Sequence, residues 1–178
     1  IAWENRVASS RSVVVADDRI FFFAKGNKVR ALEFIPWVTD ISVGDLSDRA
    51  GQSIQRFLDS LDEDQSSCFG YYNKEKKQVY FHLKEKWEPF NNVVLVYDVI
   101  NDNFLIDTNK YFSDVEKCDG KYYAGSDTNG EIYLDDTGNM DNGQPIIWER
   151  RNAPLSFGNP NIRKEFREVN VYGEIEDW

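Results

Sequence analysis

The chain of 178 residues is short of the side chains on which most enzyme chemistry rests. It has a single histidine, His82, and two cysteines, Cys68 and Cys118. A Ser-His-Asp triad needs a histidine base, and His82 is the only one on offer. It lies in Val79-Tyr80-Phe81-His82-Leu83, on the opposite strand face from Val79, Phe81 and Leu83, where a packed or surface role is expected and catalysis is not. With no CxxC pair and one histidine, the chain cannot assemble a structural zinc site alone, and two thiols are too sparse for a disulfide scaffold. Two reduced thiols are expected. Neither GxxxxGK[ST] nor GxGxxG occurs, so no phosphate cradle is visible. Long apolar runs are missing too: Ile20 to Ala24 and Val93 to Tyr97 are about the longest, far short of a membrane span. Positive charge is in deficit, with 21 Lys+Arg against 31 Asp+Glu and a net charge of −10. A dedicated nucleic-acid binder or a protein working on anionic lipid carries the opposite balance. The first residue is Ile1 rather than methionine, which predicts a piece of a longer protein or a processed one.

Large rings are what the chain has in quantity: 12 Phe, 9 Tyr and 5 Trp, or 15% of the residues. They are enough to build a core and to exclude global disorder. They fall in short β-type runs separated by turn residues. Ser12 to Val15, Arg19 to Ala24 and Lys28 to Phe34 make a three-strand meander, with Asp17-Asp18 and Lys25-Gly26-Asn27 as its turns. A second round comprises Cys68 to Asn73, Gln78 to Leu83, Val93 to Asp98 and Phe104 to Ile106. A third comprises Phe112 to Lys117, Lys121 to Gly125 and Glu131 to Leu134, with Pro145 to Glu149 and the alternating tail Phe166 to Ile175 beyond.

The central aromatic strands start near positions 20, 79 and 122, intervals of 59 and 43 residues. The longer interval holds the one good helical stripe: Leu46, Ala50, Ile54, Phe57, Leu58 and Leu61, opened by Asp45, Ser47 and Asp48. Gly51 weakens that helix by about 1 kcal/mol relative to alanine, so packing on the sheets must hold it. Without this insertion both intervals approach the ~40–45 residues of a four-stranded propeller blade. The expected fold is therefore mainly β: antiparallel four-stranded blades of a partial β-propeller with one inserted amphipathic helix over about 45–62, the alternative being a β-sandwich. Residues 1–178 are expected to form one β-rich domain, a fragment of a larger propeller protein, with blade-like units at about 10–35, 67–107 and 111–150.

Candidate sites are sparse. Asp17-Asp18, Asp62-Glu63-Asp64 and Asp135-Asp136 fall at turns, where solubility and turn roles explain them. The densest oxygen-ligand cluster, Asp135 to Gly143, offers Asp135, Asp136, Asn139 and Asp141 as a weak calcium candidate. It misses the EF-hand spacing, and a metal-free turn is the expectation. Arg150-Arg151 and Arg163-Lys164 flank a Pro/Gly/Asn loop over Asn152 to Asn161, a contact-surface candidate. Trp3, Trp37, Trp87 and Trp178 lie in loops or at ends, and aromatic residues there anchor interfaces or cap cores. Trp37, Trp87, Arg150, Arg151, Arg163 and Lys164 are the interaction candidates. No catalytic residue and no cofactor is expected.

Gly125, Ser126, Gly130, Ile132, Tyr133, Asp135, Gly138, Asp141, Gly143, Pro145 and Ile146 follow one pattern of small, turn and strand residues. Phe157, Gly158, Pro160, Arg163, Lys164, Phe166, Arg167 and Val169 follow a second. Together they resemble β-propeller-containing virion structural proteins of tailed bacteriophages, of the tail-hub, head-completion or DNA-stabilisation type. Val96-Tyr97-Asp98 followed by Asn101-Asp102 is similar to a further step of that pattern, with Phe104 where a tryptophan is more usual. The resemblance implies a non-enzymatic virion component that binds other virion proteins or copies of itself in a ring. It implies no membrane and no specific nucleic-acid contact, although packaged DNA would be near, and Arg163-Lys164 would lead into a neighbouring blade or domain. Two other readings stay open: a carbohydrate- or receptor-binding propeller module using Trp37 and Trp87, and a fragment of a propeller glycosidase using paired carboxylates.

Overall fold

The runs richest in β-branched and aromatic residues become strands, and tight left-handed turns at Asp17, Gly26-Asn27, Lys77, Asp102 and Asp119-Gly120 fold neighbouring strands onto one another. The computed structural model describes residues 6–34, 41–135, 140–141 and 144–145. The first sheet contains β1 (Val13–Ala16), β2 (Arg19–Ala24), β3 (Lys28–Phe34) and β4 (Ile41–Asp45) in that spatial order. The second contains β5 (Phe69–Asn73), β6 (Gln78–Leu83), β7 (Val93–Asp98) and β8 (Asn103–Thr108), again in chain order. The third contains β9 (Phe112–Cys118), β10 (Lys121–Ser126) and β11 (Ile132–Asp135). All pairings within these sheets are antiparallel. The protein is thus mainly β, built from successive up-and-down sheets. Residues 138–178 form a separate compact unit, in which β12 (Met140–Asp141) pairs antiparallel with β13 (Gln144–Pro145).

The turn chemistry matches the geometry it must supply. Between β9 and β10, Asp119 and Gly120 both take left-handed backbone angles, φ 49° and 77°. Two consecutive positive φ values give a turn whose twist matches the flanking strands, and Asp-Gly is among the few pairs that tolerate it.

The second sheet is the middle layer of the larger unit. One face of β6 and β7, with Val79, Phe81, Leu83, Val93, Leu95 and Tyr97, shares a core with Val14, Phe21, Phe23, Val29 and Ala31 of the first sheet. From the other face, Phe69 and Tyr71 of β5 join Phe112, Val115, Tyr122, Ala124 and Tyr133 of the third sheet. Burial on both sides explains why β6 and β7 lack the alternation of a half-exposed strand. The outermost strand β8 is mostly exposed.

Two expectations need correction. The first sheet has a fourth strand, β4, so the first unit extends to residue 45 rather than about 35. The helix is also shorter than 45–62. Asp45 belongs to β4, where it pairs with Lys28 (3.3 Å) and Arg30 (3.2 Å) and accepts hydrogen bonds from Ser47 Oγ (2.7 Å) and the Asp48 amide (3.1 Å). That acceptor organises a single 3-10 turn over Ser47–Arg49. Ala50 and Gly51 are then extended, with ψ of 148° and 164°, and α1 begins only at Gln52 and ends at Ser60. The apolar stripe survives the break: Leu46, Ile54, Leu58 and Leu61 are all buried in the core between the first two sheets.

Candidate functional site

The single histidine sits where the second and third sheets meet. Alternation along β6 points His82 away from the Phe81 core and toward the third sheet. Its ring stacks on Phe69 at 4.3 Å and 6°, with Tyr71 at 5.9 Å and Phe112 at 5.7 Å. The side chain is 1% exposed, and neither ring nitrogen has a protein hydrogen-bond partner among the described residues. Burial, with a smaller contribution from the Lys110 charge, pulls its pKa down to about 3. The ring is walled in by aromatic side chains, so of the two expected roles, packed or surface, His82 takes the packed one.

Beside it lies a polar cluster. Lys110, in the turn between β8 and β9, places its ammonium 2.8 Å from Asp135 and 3.2 Å from Asp107. The Tyr71 hydroxyl donates to the other Asp135 oxygen at 3.3 Å, and the Lys110 ammonium lies 5.8 Å from the centroid of the Phe112 ring. Burial works against the Lys110 charge, but the two carboxylates outweigh it and hold the lysine above its ordinary value. Of the four calcium candidates, Asp135 therefore already has its charge matched by a lysine and is buried. Asp136 and Asn139 lie outside the described residues, and Asp141 is described only as backbone in β12. No group of three or more metal-ligating side chains occurs among the described residues.

Among the described residues, Trp87 is the most exposed large hydrophobic side chain. It is 97% exposed and holds φ at 74°, a left-handed conformation that costs a bulky residue strain. Its loop is firmly fixed on both sides. Asn92 accepts from the Glu85 amide (3.0 Å) and donates to the Glu85 carboxylate (2.8 Å). The Lys86 amide donates to the Ser60 carbonyl (3.1 Å), and the Lys86 ammonium donates to the Asp59 carbonyl (2.6 Å). The bare indole is thus presented by a rigid loop. The neighbouring Lys86 lines a polar cleft of about 660 Å³ together with Lys25, Lys28, Asp59, Glu63 and Asp64. Trp37, Arg150, Arg151, Arg163 and Lys164 lie outside the described residues, as do Trp3 and Trp178.

No protein-family model and no curated protein sequence matches the chain. Its chemistry must therefore be read from its own surfaces, and two further ones are apolar. On the outer face of the first sheet, register aligns Val15, Ile20, Leu32 and Val43 in a row across four strands. Val15, Ile20 and Val43 are exposed there. On the outer face of the third sheet, Tyr123, Ile132 and Leu134 are exposed. The two thiols are free: Cys68 is buried, which pushes its pKa up to about 11, and Cys118 is exposed.

Sequence reasoning singled out Trp87 as exposed and His82 as a packed or surface residue, but it did not single out Lys110 or Tyr71. Nor did it single out Gly70, where an added Cβ would meet Val14 Cγ2 at 2.8 Å, although a glycine inside an aromatic strand is a readable mark of close approach. Lys110 and Tyr71 have no readable signal, because their partner Asp135 lies 25 and 64 residues away.

Proposed function

We propose that the chain is a non-enzymatic structural module, a run of propeller blades that assembles through protein–protein contacts in a tailed-phage particle. The observation that carries this reading is the stacking of three successive meander sheets face to face in chain order. First strands come together as well: β1 lies beside β5, and a Cβ at Gly70 would meet Val14 Cγ2 at 2.8 Å. Consecutive blades of a propeller repeat in this way, and closed propellers need about four to eight of them. Three sheets leave apolar outer faces at both ends, which suit further blades from the same protein or its neighbours. The Trp87 loop supplies a preorganised anchor of the kind that dominates protein interfaces. A net charge of −10 suits a surface beside packaged DNA, repelling phosphate; retention of the chain on DNA at moderate salt contradicts that part.

The test is the composition of purified particles from the genome that encodes the chain. Peptides of this chain at a fixed copy number per particle are expected. Their absence from intact particles overturns the reading.

The exposed indole of Trp87 also favours a second reading, a carbohydrate-binding module, since sugar faces stack on flat rings. Its flanking polar groups argue against it: Glu85 and Lys86 are already held by Asn92 and Asp59. A glycan array decides, with binding lost in Trp87→Ala as the supporting result and no binding as the contrary one.

A further inference from the structure

The joint between the second and third sheets contains a titratable ring that its surroundings accept in one protonation state only. His82 is the sole histidine in the chain, so whatever it does on acidification is unmixed with other imidazoles. Its ring fills a slot between Phe69 and Phe112, with Tyr71 alongside and Val94 opposite it on β7.

The charged and titratable groups facing this slot come from every element around it. Lys110, from the turn before β9, is cationic. Asp107 of β8 and Asp135 of β11 are both committed to Lys110. Tyr71 of β5 gives its hydroxyl hydrogen to Asp135. Arg11, which precedes β1, lies 5.2 Å from the Phe69 ring centroid and pairs with Asp114 of β9 at 3.2 Å. Tyr122 of β10 and Tyr133 of β11 complete the surround as neutral phenols against Tyr71 and Phe112. A proton added to His82 therefore meets two cations and two carboxylates that are already matched, and finds no acceptor at either nitrogen. Leaving a buried charge unpaired is among the most costly changes a fold can undergo.

We propose that His82 makes this joint acid-labile: protonation of its ring detaches the β9–β11 sheet from the middle sheet while the first and second sheets stay packed. The direction of failure follows from the two faces of β6. His82 faces only the third sheet, and that sheet is held by a small apolar cluster of Phe69, Phe112, Val115, Tyr122 and Ala124. The opposite face keeps its much larger shared core, in which no titrating side chain is fully enclosed apart from Cys68 and Tyr97, both pushed upward and neutral in acid.

The sign is fixed by the depressed value. The packed ring resists protonation down to about pH 3, whereas a released ring takes up its proton near 6.5. Stability that is fully present above pH 6.5 is thus lost progressively as pH falls toward 3. Between pH 7 and pH 5 the opening equilibrium constant rises about 25-fold on these values.

Because the chain has one histidine, proton NMR of the 178-residue chain reads the imidazole without assignment ambiguity. The same samples give amide protection factors, corrected for intrinsic exchange. The expected result is that protection in β9–β11 falls about 25-fold between pH 7 and pH 5, while β2 and β7, which exchange only on global unfolding, stay better protected than β9–β11 at both values. Over the same range the ring of the packed form keeps its neutral chemical shift. A ring that titrates near pH 6.5 while β9–β11 stay protected overturns the proposal. In His82→Phe, which keeps an aromatic ring in the slot without a titrating group, the extra loss at pH 5 should vanish. Its persistence assigns the effect to the carboxylates and also overturns the proposal. If that variant does not fold, the wild-type titration alone decides.

Discussion

The two faces of the middle sheet are held by different physics. Toward the first sheet the contact is an apolar interlock: Phe21 on Tyr97 at 5.5 Å, Phe23 on Phe81 at 6.0 Å, and a backbone approach that only glycine at position 70 permits. Ion pairs are peripheral there, with Asp17 reaching Lys77 at 3.1 Å and accepting from the Tyr72 hydroxyl at 2.9 Å. Toward the third sheet the apolar cluster is small, and polar latches surround it: Lys110 to Asp135, Arg11 to Asp114, and Lys117 to Glu75. Close-packed apolar contact resists pH and salt, whereas ion pairs and a buried imidazole respond to both. The same sheet thus joins one neighbour permanently and the other conditionally.

The largest expected effect breaks the first joint. Phe81 is fully buried between the sheets, and Phe81→Ala should cost about 4 kcal/mol of global stability by denaturant titration. Gly70→Ala comes next, at about 3 kcal/mol, because the new methyl would stand 2.8 Å from Val14 and 2.9 Å from the Tyr80 carbonyl, a backbone atom that cannot move aside. Lys110→Met tests the second joint. It leaves the buried Asp135 carboxylate with Tyr71 alone and should cost about 2 kcal/mol, less than a fully buried pair because the lysine side chain is 25% exposed. That loss should show as lowered protection in β9–β11 before any change in β2. Arg11→Ala and Lys117→Ala remove exposed latches and should cost less again, with the difference shrinking in 1 M salt. Trp87, outside both joints, is the control. Trp87→Gly should raise stability slightly, by up to about 1 kcal/mol, since it removes a fully exposed indole from a positive φ.

Much of this fold is legible in the sequence, and the pattern of what is not is informative. The bounds of β2, β3, β6 and β7 follow from Arg19-Ile-Phe-Phe-Phe-Ala and its counterparts, because a run of aromatic and β-branched residues between Asx or Gly turns has few other solutions. β4 is hidden by its own residues: Asp45 reads as a helix entry, and the strand's pairing with β3 is a tertiary choice. The helix stripe was real but its start was not, since Asp45 serves the strand and the 3-10 turn instead of capping α1. The distinction between the two joints was out of reach altogether. A strand histidine on the face away from Phe81 is legible as a packed or surface residue, but its chemical character depends on burial by Phe69 and Phe112 and, less, on the Lys110 charge, which the topology gathers from other strands and turns.

The most direct test of that distinction is native-state hydrogen exchange at pH 7 in rising sub-denaturing urea, read strand by strand. The account predicts that β9–β11 amides exchange through an opening of lower free energy than the amides of β2, β6 and β7, which should share the global value. A single opening free energy common to all three sheets would contradict it.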